Sequence, residues 1–308
     1  MTEIPRRSAK VSEIVHYYLH SDQFARLKGS TQKQYEHHLN AVLDTVILGK
    51  KLGSYGVRHL KSKHTNLAYN TWLKTGVRTA NYRKAALSAA WKHCMRLDVM
   101  ENDPVRLIKT SSDATRNVMW TREQVKLFLD TAYSEYKWRS MGLIVHMGFE
   151  WAQRIGDIRL LTWESIDLDA QRLDLIQSKR GADVHIPISD ELTSILTQQK
   201  EDLGFQQYVV PKPYPLNGAY VPYTVETISL TINTIKQVAG LPENITAMDL
   251  RRAAITEMVE AGVDLAGVMQ VSGHRSPVSV KPYMVNTYSG ASAALSKRHK
   301  KMGGNNND

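Results

Sequence analysis

The chain has 308 residues, with 40 Lys+Arg against 30 Asp+Glu and a formal net charge of +10. Hydrophobic residues make up 42% and Cys94 is the one cysteine, so a packed core is within reach while a disulfide framework and a cysteine-built zinc site are excluded. No apolar run approaches the roughly 18 residues of a membrane span, and MTEIPRRSAK lacks the apolar core of a signal peptide. The expectation is a basic cytoplasmic protein of about two domains with a polyanionic partner. The charge is unevenly placed. Residues 1–110 hold 19 Lys+Arg against 8 Asp+Glu, and the remainder holds 21 against 22, so the whole surplus lies in the first third. That third reads either as a solvated basic face or as a phosphate-contacting domain.

In chain order, Val11, Ile14, Val15, Tyr18 and Leu19 recur at helical spacing and predict a helix within Val11–Phe24. Ser30-Thr31 offers a cap before a second helix with Tyr35, Leu39 and Val42 on one side. A third helix is expected over Asn66–Lys74. A fourth runs through ANYRKAALSAAWKHCMRL, with Tyr82, Ala86, Ala89, Ala90 and His93 on one face, and Asn102-Asp103-Pro104 stops it. This predicts a helical domain over 1–107. The polar, aperiodic stretch around 108–117 reads as a linker.

A second domain is expected over 118–290. Thr121 and Gln124 fit a capping box, Trp120 is placed to staple onto Val125, and Val125, Phe128, Leu129 and Ala132 form the buried stripe. Met141–Trp151 is an apolar helix, followed by another helical turn or two up to Leu161. RLDLIQSK and DVHIPIS flank Arg180-Gly181-Ala182 as a β-hairpin. Residues 203–223, with four prolines, read as loop. Helices return over Val225–Ala239, Asp249–Ala261 and Asp264–Val271, with Gly262 ending the second of these in a left-handed conformation. Residues 291–308 form a tail, basic at KRHKK and flexible at its polar end. The fold class is mainly α with a small β-sheet (α+β).

Five short elements carry the chemistry: QRIGDIRLLTW (153–163), QSKRGADVHIP (177–187), AMDLRRAAI (247–255), SGHRS (272–276) and KPYM (281–284). Singly each is ordinary, since an Arg on a helix is usually a surface charge and a lone His is usually structural. Together and in this order they resemble the tyrosine site-specific recombinases, the phage integrase family. Tyr283 lies nine positions after His274, which stands in a Gly-His pair downstream of Arg251-Arg252. STQKQYEHHL and ENDPV resemble the start and end of that family's core-binding domain.

The resemblance implies a role for each matching residue. Tyr283 is the nucleophile that forms a 3′-phosphotyrosyl link and expels a 5′-hydroxyl. Arg154 and Arg251 hold the phosphate, whose transition state gains negative charge that planar, permanently protonated guanidinium groups suit. Lys179 protonates the leaving oxygen, and His274 donates a hydrogen bond to the phosphate. Asp157, three residues after Arg154, supports these groups. Arg252 reads as a surface or DNA-backbone contact. The family pattern has His where this chain has Met248, and a thioether neither takes a phenolic proton nor donates to phosphate. His185 on the return strand is the candidate substitute. Pro282, just before the nucleophile, predicts a break in any helix there.

The function implied is that of a site-specific recombinase cleaving and rejoining duplex DNA. It needs no cofactor and no metal and works as a homo-tetramer through a Holliday junction, with DNA-bending accessory proteins as further partners and the tail exchanged between protomers. The chain leaves no room for a separate arm-binding domain. The rivals are a type IB topoisomerase, which shares the chemistry, and a catalytically weak DNA-binding protein, supported by Met248.

Overall fold

The computed structural model describes residues 4–113, 118–179, 181–283 and 288–303. The chain divides into two compact units between residues 116 and 117. Part of the expected linker (114–117), Arg180, Met284 and the polar end 304–308 lie outside the described residues.

In the first unit, α1 (Val11–Leu19) buries Val11, Ile14, Val15 and Tyr18. The chain then breaks where Ser21 Oγ accepts the Phe24 N–H at 3.2 Å and starts the short α2 (Asp22–Ala25), so Val11–Phe24 is two helices. Helix α3 (Gly29–Leu43) starts before Ser30-Thr31, and neither hydroxyl is the cap. Instead Gln32 Nε2 donates to Ala25 and Leu27 carbonyls at 2.9 and 2.8 Å, which ties the incoming loop to the first turn. A two-stranded ribbon follows, β1 (Val46–Ile47) with β2 (Lys50–Lys51), turning through Leu48 and Gly49 at positive φ. Helices α4 (Ser62–Leu73) and α5 (Val77–Met95) complete the unit. Its core gathers Trp72, Trp91, Leu39, Leu52 and Leu87, and the Trp72 indole N–H is satisfied by Thr45 Oγ1 at 2.8 Å. The buried stripe of α5 runs through Ala80, Leu87, Trp91 and Cys94, while Tyr82 lies at its margin, stacked on His38.

In the second unit, Thr121 and Gln124 form the expected capping box at the start of α6 (Arg122–Tyr133). Trp120 meets Phe128 edge-on at 5.6 Å and donates to the Thr246 carbonyl. Helix α7 (Tyr136–Glu150) is buried along Ser140–Gly148 and forms the centre of the unit. After it comes α8 (Ile155–Ile158). An antiparallel sheet of β3 (Ile166–Asp167), β4 (Arg172–Ile176) and β5 (Asp183–Pro187) follows, ordered β3-β4-β5. Leu173, Leu175, Val184 and Ile186 face the core; Asp174 and His185 alternate outward.

Helix α9 (Asp190–Leu203), capped by Ser189, was not anticipated, because its buried Leu192, Leu196 and Leu203 are scattered among polar residues. Residues 204–224 are loop. Then come α10 (Val225–Val238), α11 (Ala247–Glu260), α12 (Leu265–Ser272) and α13 (Tyr288–Gly303). Gly262 ends the α11 segment at φ +74°. The basic stretch near the end, read as a tail, is therefore helical as far as Gly303, and α13 lies against α11. No helix among the described residues is long and apolar enough to cross a membrane.

Candidate active site

Three turns of the chain converge on one place. The first lies between α7 and α8. Ala152 is fully buried at φ +51°, a left-handed conformation that costs an alanine roughly 1 kcal/mol, and its carbonyl faces Arg251. Arg154 then caps α8 with an extended backbone. The second is the β4–β5 turn. Gln177 N–H donates to Ala182 O and Gly181 N–H to Gln177 O, both at 2.8 Å, with Gly181 at φ +59°. The third is the end of α12, where Gly273 turns the chain left-handed at φ +67° and delivers His274.

Arg251 is 8% exposed and sits in the first half of α11. Its Nη1 donates to Ala152 O and its Nη2 to Ser272 O, each at 2.8 Å. Burial, with the nearby Arg154 charge, pushes its pKa down to about 10, so it remains protonated at neutral pH. Arg154 Nη1 donates to Gln177 Oε1 at 2.6 Å and lies 3.8 Å from Asp157 Oδ2. Asp157 is buried, and its Oδ1 accepts both the backbone N–H and the hydroxyl of Ser178, at 3.0 and 2.5 Å. Two guanidinium groups stand here against the single carboxylate of Asp157, with which Arg154 pairs, which leaves local positive charge for an anion.

Ser272 Oγ donates to Val268 O at 2.5 Å and so accepts from His274 Nδ1 at 2.7 Å. In the neutral ring Nε2 is then an acceptor, 3.3 Å from Arg251 Nη2. Donation to a phosphate through Nε2 requires the doubly protonated ring. Tyr283 lies on a 3-10 turn, Lys281–Tyr283, its N–H bonded to Val280 O at 2.9 Å. The α-helix is absent at Pro282, as the proline predicts. The ring packs half-buried beside Val280, Ala254 and Ile255, 5.7 Å from the His274 ring, and its phenol favours the charged form of Arg251.

Arg154, Asp157, Arg251, His274 and Tyr283 are therefore brought together. Lys179 stands exposed on the β4–β5 turn and makes no hydrogen bond or ion pair with any described residue. The bases of its turn are tied to the site through Gln177 and Ser178. A phenol beside fixed guanidinium groups, next to a mobile-stemmed amine, is an arrangement for nucleophilic attack on a phosphate diester.

The phage integrase family matches residues 118–289, more than half of the chain. The chain belongs to this family. Among curated relatives it is 28% identical to the shufflon-specific DNA recombinase of Escherichia coli over 185 residues. That alignment takes in 59% of this chain and 44% of the relative, so less than half the relative's length is spanned. It is 22% identical over 216 residues to tyrosine recombinase XerC of Pediococcus pentosaceus, covering 67% of this chain and 71% of the relative. Lambda integrase is similar in fold at a TM-score of 0.73. As a dimer bound to a COC' core site it is 18% identical over 90% of this chain and 78% of that one. As a tetramer bound to a Holliday junction it is 17% identical over 90% and 77%.

Two residues of this integrase-family site bear on where the phenolic proton goes. Met248 is 77% exposed on the first turn of α11, where it offers no base. His185, on β5, pairs with Asp174 at 2.5 Å and lies 3.7 Å from Asp183, and the Asp174 bond raises its pKa above the ordinary value. Met248→His, three residues from Arg251 on the same helical face, is expected to speed single-turnover cleavage by up to roughly 10²-fold. An unchanged rate would mean that the phenolic proton already has an efficient acceptor.

Sequence reasoning also missed Gln153 and Gln177. Gln177 is fully buried; its Nε2 donates to Gln153 Oε1 at 2.6 Å and Ser272 O at 2.9 Å, while its Oε1 accepts from Arg154. Gln153 Nε2 donates to Trp151 O and Val271 O. Since Arg154 only donates, the orientation of both amides follows. The available signal was position alone: each glutamine lies within two residues of a candidate site residue.

Proposed function

We propose that this chain is a site-specific recombinase that cleaves and rejoins duplex DNA through a 3′-phosphotyrosyl intermediate at Tyr283. The observation that carries the reading is the convergence of Arg251, His274 and Tyr283, with Arg251 Nη2 3.3 Å from His274 Nε2 and the Tyr283 ring 5.7 Å from the His274 ring. Tyr283 Oη attacks phosphorus while Arg154 and Arg251 hold the non-bridging oxygens and His274 donates to one of them. The bond to the 5′-oxygen breaks, and Lys179 Nζ supplies the proton that makes it a hydroxyl. The covalent link keeps the diester energy, so attack by a 5′-hydroxyl restores the strand without a cofactor.

The basic first unit contributes phosphate contacts, and site choice follows from base contacts and DNA deformability. The working form is a homo-tetramer on paired sites in the cytoplasm, joined by DNA-bending accessory proteins. Residues 291–308 exchange between protomers. The tetramer is supported by lambda integrase, seen as one on a Holliday junction. Family membership favours this reading over a type IB topoisomerase or a silent DNA-binding protein.

A pool of nicked duplexes of random sequence, in which the nick lets the leaving fragment diffuse away, tests the proposal. After denaturation a fraction of the pool should remain attached to the protein and be enriched for a common sequence. Absence of any attached strand would contradict it; attachment with no sequence enrichment would favour the topoisomerase.

A further inference from the structure

We infer that Arg275 is a positioning residue that latches the turn carrying Lys179 to the segment carrying His274. The inference rests on the reading of Lys179 as the general acid. Arg275 follows His274 directly, and its Nη2 donates to Gly181 O at 2.7 Å, across 94 residues of sequence. Gly181 lies two residues after Lys179 at φ +59°, and its N–H closes the turn onto Gln177 O. The near side of the turn is held independently, by Gln177 on Arg154 and Ser272 and by Ser178 on Asp157. On the far side, Arg275 is the side chain that reaches the turn from the His274 segment. Lys179 has a flexible four-carbon stem and no partner of its own among the described residues. Where its ammonium can go therefore depends on how firmly both ends of a short exposed turn are held. Arg275 itself is exposed, and no carboxylate among the described residues pairs with it.

A positioning role for the acid differs from a DNA contact in one chemical respect. With ordinary DNA, the P–O5′ bond breaks and the departing oxygen needs the Lys179 proton. If the 5′-bridging oxygen is replaced by sulfur, the P–S bond breaks and a thiolate leaves without protonation. Loss of the acid, or of its placement, then no longer matters.

The experiment measures cleavage of both duplexes, selected from the random pool, by full-length wild-type protein, Lys179→Ala, Arg275→Met and Arg275→Lys. Lys179→Ala should lose roughly 10²-fold or more on the oxygen substrate and recover on the sulfur one. Arg275→Met should lose roughly tenfold or more on the oxygen substrate only, and Arg275→Lys should regain part of that loss by donating to the same carbonyl. Loss by Arg275→Met on both substrates would make Arg275 a DNA contact and overturn the latch, as would no loss on either. If Lys179→Ala is not recovered by sulfur, the general-acid reading fails, and the latch with it. If Lys179→Ala recovers and Arg275→Met does not, only the latch fails.

Discussion

Arg251→Lys should lower the rate of covalent adduct formation by roughly 10²–10³-fold, the scale seen when one preorganised donor is removed from a charge-stabilising site. The substitution keeps the formal charge, and the reason it should fail is geometric. Arg251 spans two buried carbonyls, Ala152 O and Ser272 O, while its Nη2 also lies 3.3 Å from His274 Nε2. A lysine has one compact ammonium group and cannot serve three directions spread around a planar fork. Its burial also favours the neutral form more readily than it does for arginine. Because burial leaves the Arg251 pKa at about 10, the wild-type group keeps its proton through neutral pH. Its charge is lost only as pH rises towards about 10. Single-turnover kinetics on a fixed duplex, with the melting temperature as a check on folding, decides the matter. A loss under tenfold in a folded variant would show that charge alone suffices.

Gly273→Ala is expected to damage stability and activity together. An added Cβ would lie 2.4 Å from Gln177 Nε2 and 2.7 Å from its Cδ, and the backbone at φ +67° already disfavours a side chain. Strain and overpacking together should cost roughly 2–4 kcal/mol. Gln177 is fully buried and cannot swing aside without abandoning Arg154, Gln153 and Ser272 O. Cleavage should therefore fall as well, by at least about tenfold, because Arg154 loses the acceptor that orients it. The double variant Gln177→Ala, Gly273→Ala removes the collision. Its melting temperature should lie above the value obtained by adding the two single losses. Simple additivity would mean that the two positions do not press on one another.

Much of the second unit was legible in the sequence for local reasons. The capping box of Thr121 and Gln124, the β4–β5 hairpin around Gly181 and the left-handed Gly262 each depend on residues within a few positions of one another. Arg154, Arg251, His274 and Tyr283 were legible only through the resemblance of their motifs to those of the phage integrase family. What was hidden depends on distance along the chain. Gln153 meets Val271 O across 118 residues, and Gln177 meets Ser272 O across 95; no local pattern marks a glutamine as buried. The left-handed Ala152 was hidden too, since alanine carries no signal for such a turn. At Ser30-Thr31 two good capping residues were passed over, because Gln32 secures the start of α3 against the preceding loop. The surplus behind the +10 net charge resides in the first unit; in the near-neutral second unit, Arg154 and Arg251 stand together at the site.

The most direct test of the whole account is to locate the covalent bond. Protein attached to a trapped strand is digested with protease and nuclease, and the peptide that retains a nucleotide is sequenced by mass spectrometry. The modified residue should be Tyr283, and Tyr283→Phe should yield no attached strand while still binding the same duplex. A nucleotide on any other residue, or undiminished attachment in Tyr283→Phe, would contradict it.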